Sequence, residues 1–332
     1  MDRGTGRRQR GAGLIALLCI GSGAGAAPWA AAQSTALVEI ANTTFPAASG
    51  AHAVPVRVFW SRRSSRAPLV LFSHGAYSTN NLYDPVLTAW AAAGFVVLAP
   101  THRDSTSFAV ERGTNDPRFF DWRLEDMATV LAASDALAEK LPALDRRVDP
   151  GRIAATGHSF GGLVAQTLAG ATYFDPRTGA TQSRRDPRVR AAIVFSGAGR
   201  FAPLLRTEDF AALQVPLLVT VGTEDLAQAP NLTGYQWRRE PFDLAGSPQR
   251  YLLTLRGADH YLGGLVGRTD LPLAPQARSW LDEFTRVTIA FLQHYLANRG
   301  RPPKPFANAQ ATLETASGPP GAATASRTSA PR

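Results

Sequence analysis

Short apolar runs alternate with amphipathic stretches through the middle of the chain. Seven runs of five to seven residues, rich in Val, Ile, Leu and Ala, predict buried β-strands because their apolar positions are almost unbroken. These runs are residues 54–60, 69–73, 95–100, 153–157, 191–196, 217–222 and 250–255. Strands that alternate with helices are typical of βαβ units. We therefore expect an α/β fold with a mostly parallel central sheet and helices on both faces.

Three helices follow from apolar positions that recur every three or four residues. Asp84 and Pro85 begin the first of these helices, and Gly94 ends it. The other two are centred on residues 124–131 and 281–295. Their apolar stripes predict core packing rather than a cofactor site.

Four segments fit neither pattern. Residues 103–120, 173–188 and 226–248 are rich in Pro, Gly, Arg and Asp, and we expect them to lie above the sheet and shape a substrate entrance. Residues 300–332 are dominated by Pro, Ala, Ser and Thr without apolar periodicity, which predicts a disordered tail.

The N-terminus has the pattern of an export signal. Four arginines among the first ten residues precede a short apolar stretch, residues 14–20, and small residues that end at Ala32. We expect residues 1–32 to be a signal peptide and residues 33–299 to be the folded domain of a periplasmic or secreted protein. The apolar stretch is too short to span a bilayer, so the mature chain is expected to have no integral membrane segment.

The cysteine count and the distribution of charge limit the chemistry and the partners that we expect. The only cysteine, Cys19, lies in the predicted signal peptide, so we expect neither a disulfide nor a cysteine nucleophile in the mature protein. A net charge of +9 is common in nucleic-acid-binding proteins, but residues 1–32 and residues 300–332 each contribute a net charge of +3. Because the remainder is nearly balanced, we expect no nucleic-acid partner.

The strongest chemical motif is a G-x-S-x-G sequence from Gly157 to Gly161, with Ser159 at its centre. A buried strand precedes it and a helix follows directly, and a turn this tight tolerates only glycine two residues before and two residues after the serine. Such a turn presents the Ser159 hydroxyl at a helix N-terminus, where developing negative charge is stabilised. We interpret Ser159 as a nucleophile.

A serine nucleophile needs a histidine base and a carboxylate that orients the base. After a strand–turn–helix nucleophile of this kind the carboxylate precedes the histidine in the chain. Four of the six histidines precede Ser159, and His294 lies in the last helix, which leaves His260. Glu224 and Asp225 both follow the strand at 217–222, and we prefer Asp225 because the shorter side chain is the usual orienter.

The reaction also needs two amides that bind an oxyanion. We assign one to Phe160, the residue after the nucleophile, and the other to Ala76 in the loop that follows the strand at 69–73. Tyr77 is the alternative donor. Tyr77 and Tyr261 are predicted to line the substrate pocket, with the rings of Phe160, Trp122 and Trp237 as further candidates.

These motifs together resemble the α/β-hydrolase superfamily over residues 50–298. The run Ser73–His74–Gly75, residues 94–100, the triplet at 102–104 and the approach to the nucleophile at 149–153 are similar to the branch of platelet-activating-factor acetylhydrolases and dienelactone-hydrolase-like proteins. The resemblance implies the α/β-hydrolase fold, a Ser–Asp–His triad, no cofactor and no metal, and ester substrates. By position those roles fall on Ser159, Asp225 and His260.

The sequence thus predicts an exported serine hydrolase that cleaves small-molecule or lipid-like carboxylic esters through an acyl-enzyme intermediate. Two alternatives remain at this point: an amidase or peptidase with the same triad, and a hydrolase-fold binding module without activity. The glycine pattern around Ser159 is not the G-x-G-x-x-G that cradles a dinucleotide phosphate, which argues against a cofactor enzyme.

Overall fold

The structure, a computed structural model, describes residues 37–318 apart from residues 48, 51, 227–233 and 269. The predicted signal peptide, residues 1–32, and the final residues, 319–332, lie outside this range. Within the described residues, none of the helices combines the length and the apolarity that crossing a bilayer requires.

Twelve strands and seven α-helices are described. The strands are β1 Val38–Pro46, β2 Ala53–Ser61, β3 Ala67–Ser73, β4 Val96–Pro100, β5 Val148–His158, β6 Tyr173–Asp175, β7 Ala180–Gln182, β8 Val189–Phe195, β9 Leu217–Gly222, β10 Gln249–Leu255, β11 Phe306–Ala307 and β12 Ala311–Ser317. The helices are α1 Asp84–Ala92, α2 Phe119–Ala133, α3 Leu137–Lys140, α4 Phe160–Ala169, α5 Thr207–Phe210, α6 Gln236–Leu244 and α7 Ala277–Tyr295. Short 3-10 helices occupy Asn80–Tyr83, Thr106–Phe108, Ser134–Ala136 and Pro142–Leu144.

Ten of these strands form one sheet in the order β1-β2-β4-β3-β5-β8-β9-β10-β12-β11. The six strands from β4 to β10 in that order run parallel, and antiparallel strands close both edges. The small hairpin of β6 and β7 stands apart from the sheet. The predicted α/β fold with a mostly parallel sheet is confirmed. Each of the seven predicted strands lies inside an observed strand of this sheet or extends at most one residue beyond its end.

Helices cover both faces of the sheet. Successive residues of β3 alternate between two cores, with Leu69 and Leu71 in one and Val70 and Phe72 in the other, because side chains of a strand point alternately to opposite faces. The first core packs against α2, α4 and α6, and the second against α1 and α7. Burial on both faces explains why the sequence of these strands is almost continuously apolar.

Residues 306–317 differ from the prediction. The composition predicts a disordered tail from residue 300, whereas β12 pairs antiparallel with β10 along its whole length, from Gln249 opposite Ser317 to Leu255 opposite Ala311. Ala311 and Leu313 are buried in the second core, and the strand is otherwise exposed or half-buried. The prediction was wrong here because main-chain pairing, which leaves no compositional signal, holds the segment. The sheet therefore extends past the expected domain end at residue 299.

Candidate active site

Ser159 lies at a strained turn between β5 and α4. Its φ of 56° and ψ of −119° place it in a backbone region that residues other than glycine rarely adopt. A Cβ atom added to Gly157 would lie 2.1 Å from the carbonyl oxygen of Gly161, and one added to Gly161 would lie 1.9 Å from that of Ser73. The two glycines of the motif are thus required because strand, turn and helix approach each other too closely for any side chain.

His260 and Asp225 meet in the loops that follow β10 and β9. His260 Nδ1 lies 2.9 Å from Asp225 Oδ1 and donates to this carboxylate, which is almost fully buried. Glu224, the alternative acid, is exposed. Asp259 makes hydrogen bonds within its own loop, since its Oδ1 accepts from the backbone N–H groups of Tyr261 and Gly263.

A third charge, Arg238 on α6, adjoins this pair. Its Nε lies 2.6 Å from Asp225 Oδ1, and its Nη1 donates to the carbonyl of Ser196 at 2.6 Å. Burial opposes ionisation of Asp225, but the hydrogen bond from His260 and the charges of His260 and Arg238 outweigh it, so the pKa of Asp225 lies below its usual range. Burial also lowers the pKa of His260, and Arg238 adds to this effect while Asp225 opposes it. His260 is therefore neutral, the form that accepts a proton, at neutral pH.

His158, next to Ser159, connects His260 to the rest of the site. The carbonyl oxygen of His260 accepts from His158 Nε2 at 2.8 Å, so Nδ1 of His158 is the nitrogen that accepts from the hydroxyl of Tyr83, also at 2.8 Å. The rings of His158 and His260 are 4.5 Å apart. Burial and the neighbouring His260 hold the pKa of His158 well below its usual value. His158 therefore stays neutral and positions the His260 loop beside Ser159.

A cleft of about 410 Å³ opens beside Ser159. Its walls are mainly apolar side chains from the three segments that the sequence assigned to the substrate entrance, joined by residues of α4 and of the loops after β3 and β8. They include Ala76, Tyr77, Phe119, Phe120, Phe160, Leu163, Tyr173, Phe201, Leu204, Trp237 and Arg238. A mostly apolar concavity of this size suits a small organic ligand.

Both amides assigned to an oxyanion hole border this cleft. Ala76 and Phe160 line it together with Ser159, and neither backbone N–H makes a hydrogen bond within the described part of the chain. The N–H of Tyr77, the alternative donor, is directed to Asp104 Oδ2 at 3.5 Å. The hydroxyl of Ser159 likewise has no hydrogen bond to His260 among the described residues. A bond of this kind is often formed only when substrate is bound.

The predicted aromatic residues separate into two groups. Tyr77 and Trp237 line the cleft, and their polar atoms donate to the carbonyls of Thr114 and Arg200. Tyr261 instead packs edge-on against the ring of His260, 4.9 Å away. Trp122 lies outside the cleft walls, between the guanidinium groups of two arginines.

Sequence reasoning did not find Arg238 or the buried Arg123. No local pattern distinguishes them from the many other arginines of the chain. Their side chains reach the site from α6 and α2, and those approaches depend on how the helices pack on the sheet. The wall residues Phe119 and Phe120 were also missed, although they lie in a segment that was expected to shape the entrance.

Comparison with known protein families gives a match over most of the chain. Residues 70–309, more than half of the chain, match the sequence model of the alpha/beta hydrolase family. The matched range contains Ser159, Asp225, His260 and both proposed amide donors. A comparison with curated proteins gives no match.

Proposed function

Because the chain belongs to the alpha/beta hydrolase family, we propose that it is a serine hydrolase that cleaves carboxylic esters through an acyl-enzyme intermediate on Ser159. One observation supports this most directly. Ser159 stands at a strained turn in the wall of an apolar cleft, flanked by the amides of Ala76 and Phe160, which make no hydrogen bond to any described residue. A backbone strained in this way persists only where the surrounding structure enforces it, which is typical of active sites.

In the first half of the reaction, Ser159 Oγ attacks the ester carbonyl carbon while His260 Nε2 takes the hydroxyl proton. The carbonyl oxygen becomes an oxyanion that the amides of Ala76 and Phe160 bind. Asp225 holds the Nδ1–H tautomer of His260 and stabilises the imidazolium that forms. When the tetrahedral intermediate collapses, His260 returns the proton to the leaving alcohol, and the acyl group stays on Ser159.

In the second half, water attacks the acyl-enzyme. His260 removes a proton from this water, a second oxyanion occupies the same amides, and collapse breaks the bond to Ser159 Oγ, which regains its proton from His260. The products are a carboxylic acid and free enzyme. Each proton that His260 accepts is thus given back within the cycle.

The cleft favours esters with an apolar acyl or alkyl group. Phe119, Phe120, Leu163 and Leu204 provide its apolar walls, and burying a methylene group there contributes about 0.8 kcal/mol. The two arginines of the described cleft wall are already paired with carboxylates, Arg177 with Asp121 and Asp175 and Arg238 with Asp225. We therefore propose neutral, small-molecule or lipid-like esters as substrates.

The test is hydrolysis of p-nitrophenyl esters of graded acyl length by the wild type, Ser159→Ala and the matched control Ser65→Ala, an exposed serine away from the cleft. We expect Ser159→Ala to lose activity by a factor on the order of 10⁴ or more and the control to keep it. Labelling with a fluorophosphonate, followed by peptide mass spectrometry, should modify Ser159.

Each rival function has its own signature in the same experiment. Faster cleavage of a matched amide than of the ester would replace esterase with amidase or peptidase chemistry. A wild type that hydrolyses neither substrate and takes up no label would contradict the enzyme proposal, leaving a binding module.

Two further proposals rest on the sequence. Residues 1–32 direct export to the periplasm or the medium, so expression of the full chain should yield an extracytoplasmic product that begins near Gln33. Within the family we place the chain nearest the platelet-activating-factor acetylhydrolase and dienelactone-hydrolase-like branch, on the Ser73–His74–Gly75 run and the triplet at 102–104.

A further inference from the structure

Arg123 of α2 is fully buried, although it carries a charge. Its Nε and Nη2 donate to the two carboxylate oxygens of Asp104 at 2.9 and 2.8 Å, in the bidentate geometry that suits a guanidinium. Asp104 is also buried. Since breaking or misaligning such a pair leaves an uncompensated charge in the core, the guanidinium is held in one place.

Two further donors of Arg123 go to the loop that follows β3. Nη1 donates to the carbonyl of His74, and Nη2 donates to the carbonyl of Gly75 at 3.0 Å. Nδ1 of His74 donates to the same Gly75 oxygen at 2.7 Å. Two successive carbonyl groups of this loop are thus held on the side that faces Arg123.

Covalent geometry then decides where the next amide points. The peptide bond between Gly75 and Ala76 is trans, so its N–H points away from its C=O. Because Arg123 and His74 hold the Gly75 oxygen inside the protein, the Ala76 N–H is turned to the opposite side, where Ala76 borders the cleft. The amides on either side are engaged, that of Gly75 by the Tyr83 hydroxyl and that of Tyr77 by Asp104.

The same guanidinium contacts the second donor residue. It lies over the ring of Phe160, 4.7 Å from the ring centroid. Arg123 therefore touches both sides of the oxyanion hole, the peptide that supplies one amide and the side chain of the residue that supplies the other. An oxyanion hole works only when its donors are held at the right separation before the reaction.

A buried cluster of hydrogen-bonded side chains, formed by Ser73, His102 and Asp126, also supports Arg123. Ser73 Oγ accepts from Arg123 Nη1 at 3.2 Å and donates to His102 Nε2 at 2.9 Å, while His102 Nδ1 donates to Asp126 at 3.0 Å. Ser73, His102 and Asp126 have the connectivity of a catalytic triad, but all three are buried, and the serine hydroxyl is already occupied. Their role here is to hold Arg123.

We propose that Arg123, anchored by Asp104, is the positioning residue of the oxyanion hole, where it fixes the Gly75–Ala76 peptide and packs against Phe160. The inference rests on the proposed function, since an oxyanion hole serves acyl transfer. Arg123 touches no substrate atom and acts through the two amides. Its loss should raise the energy of the transition state and leave ground-state binding largely unchanged.

The test compares Arg123→Lys, the double variant Arg123→Met with Asp104→Leu, and the control Arg250→Met. Lysine keeps the positive charge but lacks the planar guanidinium that binds both oxygens of Asp104. The double variant removes both members of the ion pair, so that no unpaired charge stays buried. Arg250 is also buried and also donates to backbone carbonyls, those of Ser247 and Gly318, at the opposite end of the sheet. Its replacement measures the cost of losing any buried arginine.

Four quantities are measured: kcat and KM for a p-nitrophenyl ester, and the inhibition constants of a trifluoromethyl ketone and of the matching methyl ketone. The fluorinated ketone forms a tetrahedral adduct whose oxyanion occupies the hole, whereas the methyl ketone stays trigonal. We expect kcat to fall at least about tenfold in Arg123→Lys and to approach the 10²–10³-fold loss of one oxyanion donor in the double variant, with little change in KM. The inhibition constant of the trifluoromethyl ketone should rise by the same factor by which kcat/KM falls. The inhibition constant of the methyl ketone should stay unchanged.

Folded Arg123 variants with wild-type kcat, an equal weakening of both ketones, or a similar loss in Arg250→Met would overturn the inference. A wild type that binds the trifluoromethyl ketone but cleaves no ester would contradict only the esterase proposal, and the ketone comparison would still decide the role of Arg123. A wild type that binds neither ketone and cleaves no ester would contradict both.

Discussion

At the scale of single residues, the site is organised by charges that are paired before any substrate arrives. Asp225 is buried between His260 and Arg238, so one carboxylate holds the base and compensates a cation that borders the cleft. Both neighbours favour the ionised carboxylate. Glu224, one residue earlier, is exposed because consecutive side chains at the end of a strand leave it in different directions.

This arrangement predicts unequal effects at neighbouring positions. Asp225→Asn removes the charge that stabilises the His260 imidazolium and the acceptor that selects its tautomer, so kcat should fall by a factor on the order of 10⁴. Glu224→Gln should keep nearly the wild-type rate. Steady-state ester hydrolysis by both variants checks this, and a larger loss for Glu224→Gln would reassign the acid.

The pH dependence of kcat/KM should show the effect of Arg238 on the pKa of His260. Burial first, and then the charge of Arg238, lower the pKa of His260, so the acidic limb of the kcat/KM profile should lie below the usual histidine range. Arg238→Met removes a cation that favours the neutral imidazole, which raises the pKa of His260 and moves that limb to higher pH. Arg239→Met, on the same helix but paired with Asp243, is the matched control and should leave the limb in place. A limb that stays fixed in Arg238→Met would remove Arg238 from the electrostatics of the base.

At the scale of secondary-structure elements, the site is formed where parallel strands end. The loops after β3, β5, β9 and β10 carry, in that order, Ala76, Ser159, Asp225 and His260, for which we propose the roles of oxyanion donor, nucleophile, acid and base. Parallel strands bring their carboxyl ends to one edge of the sheet, so residues far apart in sequence become neighbours there. The tight contact of Gly161 with the end of β3 ties the nucleophile turn to the oxyanion loop.

Strand β12 contributes to stability through its buried side chains, of which Leu313 is the larger. Leu313 is almost fully buried in the second core, so Leu313→Ala should lower the free energy of unfolding by about 2–5 kcal/mol. Thr315→Ala, on the same strand but exposed, should cost less than about 1 kcal/mol. Urea denaturation of both variants measures the difference, and equal small losses would mean that β12 is not held on the sheet in solution.

At the scale of the whole molecule, buried neutral histidines couple folding to pH. Burial holds the pKa of His74 and of His158 well below the usual value in the folded state. In the unfolded chain these residues bind protons near pH 6.5. The unfolded state therefore takes up more protons below that pH, and the stability present at neutral pH is lost as the pH falls.

We expect the free energy of unfolding to decrease below about pH 6.5, by about 1.4 kcal/mol per pH unit for each such histidine. His74→Asn should make this dependence shallower, whereas His294→Asn, on the half-exposed end of α7, should not. Urea midpoints at pH 7, 6 and 5 provide the test. A His74→Asn protein with the same slope as the wild type would show that His74 does not contribute to it.

Much of the fold could be predicted because periodicity is a local property. The parallel strands and the helices α1, α2 and α7 follow from apolar runs and from apolar positions three or four residues apart. Strands β1, β6, β7, β11 and β12 escaped this reasoning. They are short, or they lie at or next to an edge of the sheet, where most side chains are exposed or half-buried and main-chain pairing is the main support, as the pattern of β1 illustrates.

Local sequence patterns suffice to predict that this chain forms a mostly parallel α/β sheet and that Ser159 follows a buried strand at a turn which only glycines permit. Such features depend on neighbouring residues. The tertiary structure alone decided that Asp225 rather than Glu224 contacts His260, that Arg238 and Arg123 reach the site, and that residues 311–317 join the sheet. The partners in these contacts are tens of residues apart in the sequence, or they are chosen by side-chain direction. Only strand pairing within the sheet, together with the packing of helices on its faces, brings them within hydrogen-bonding distance.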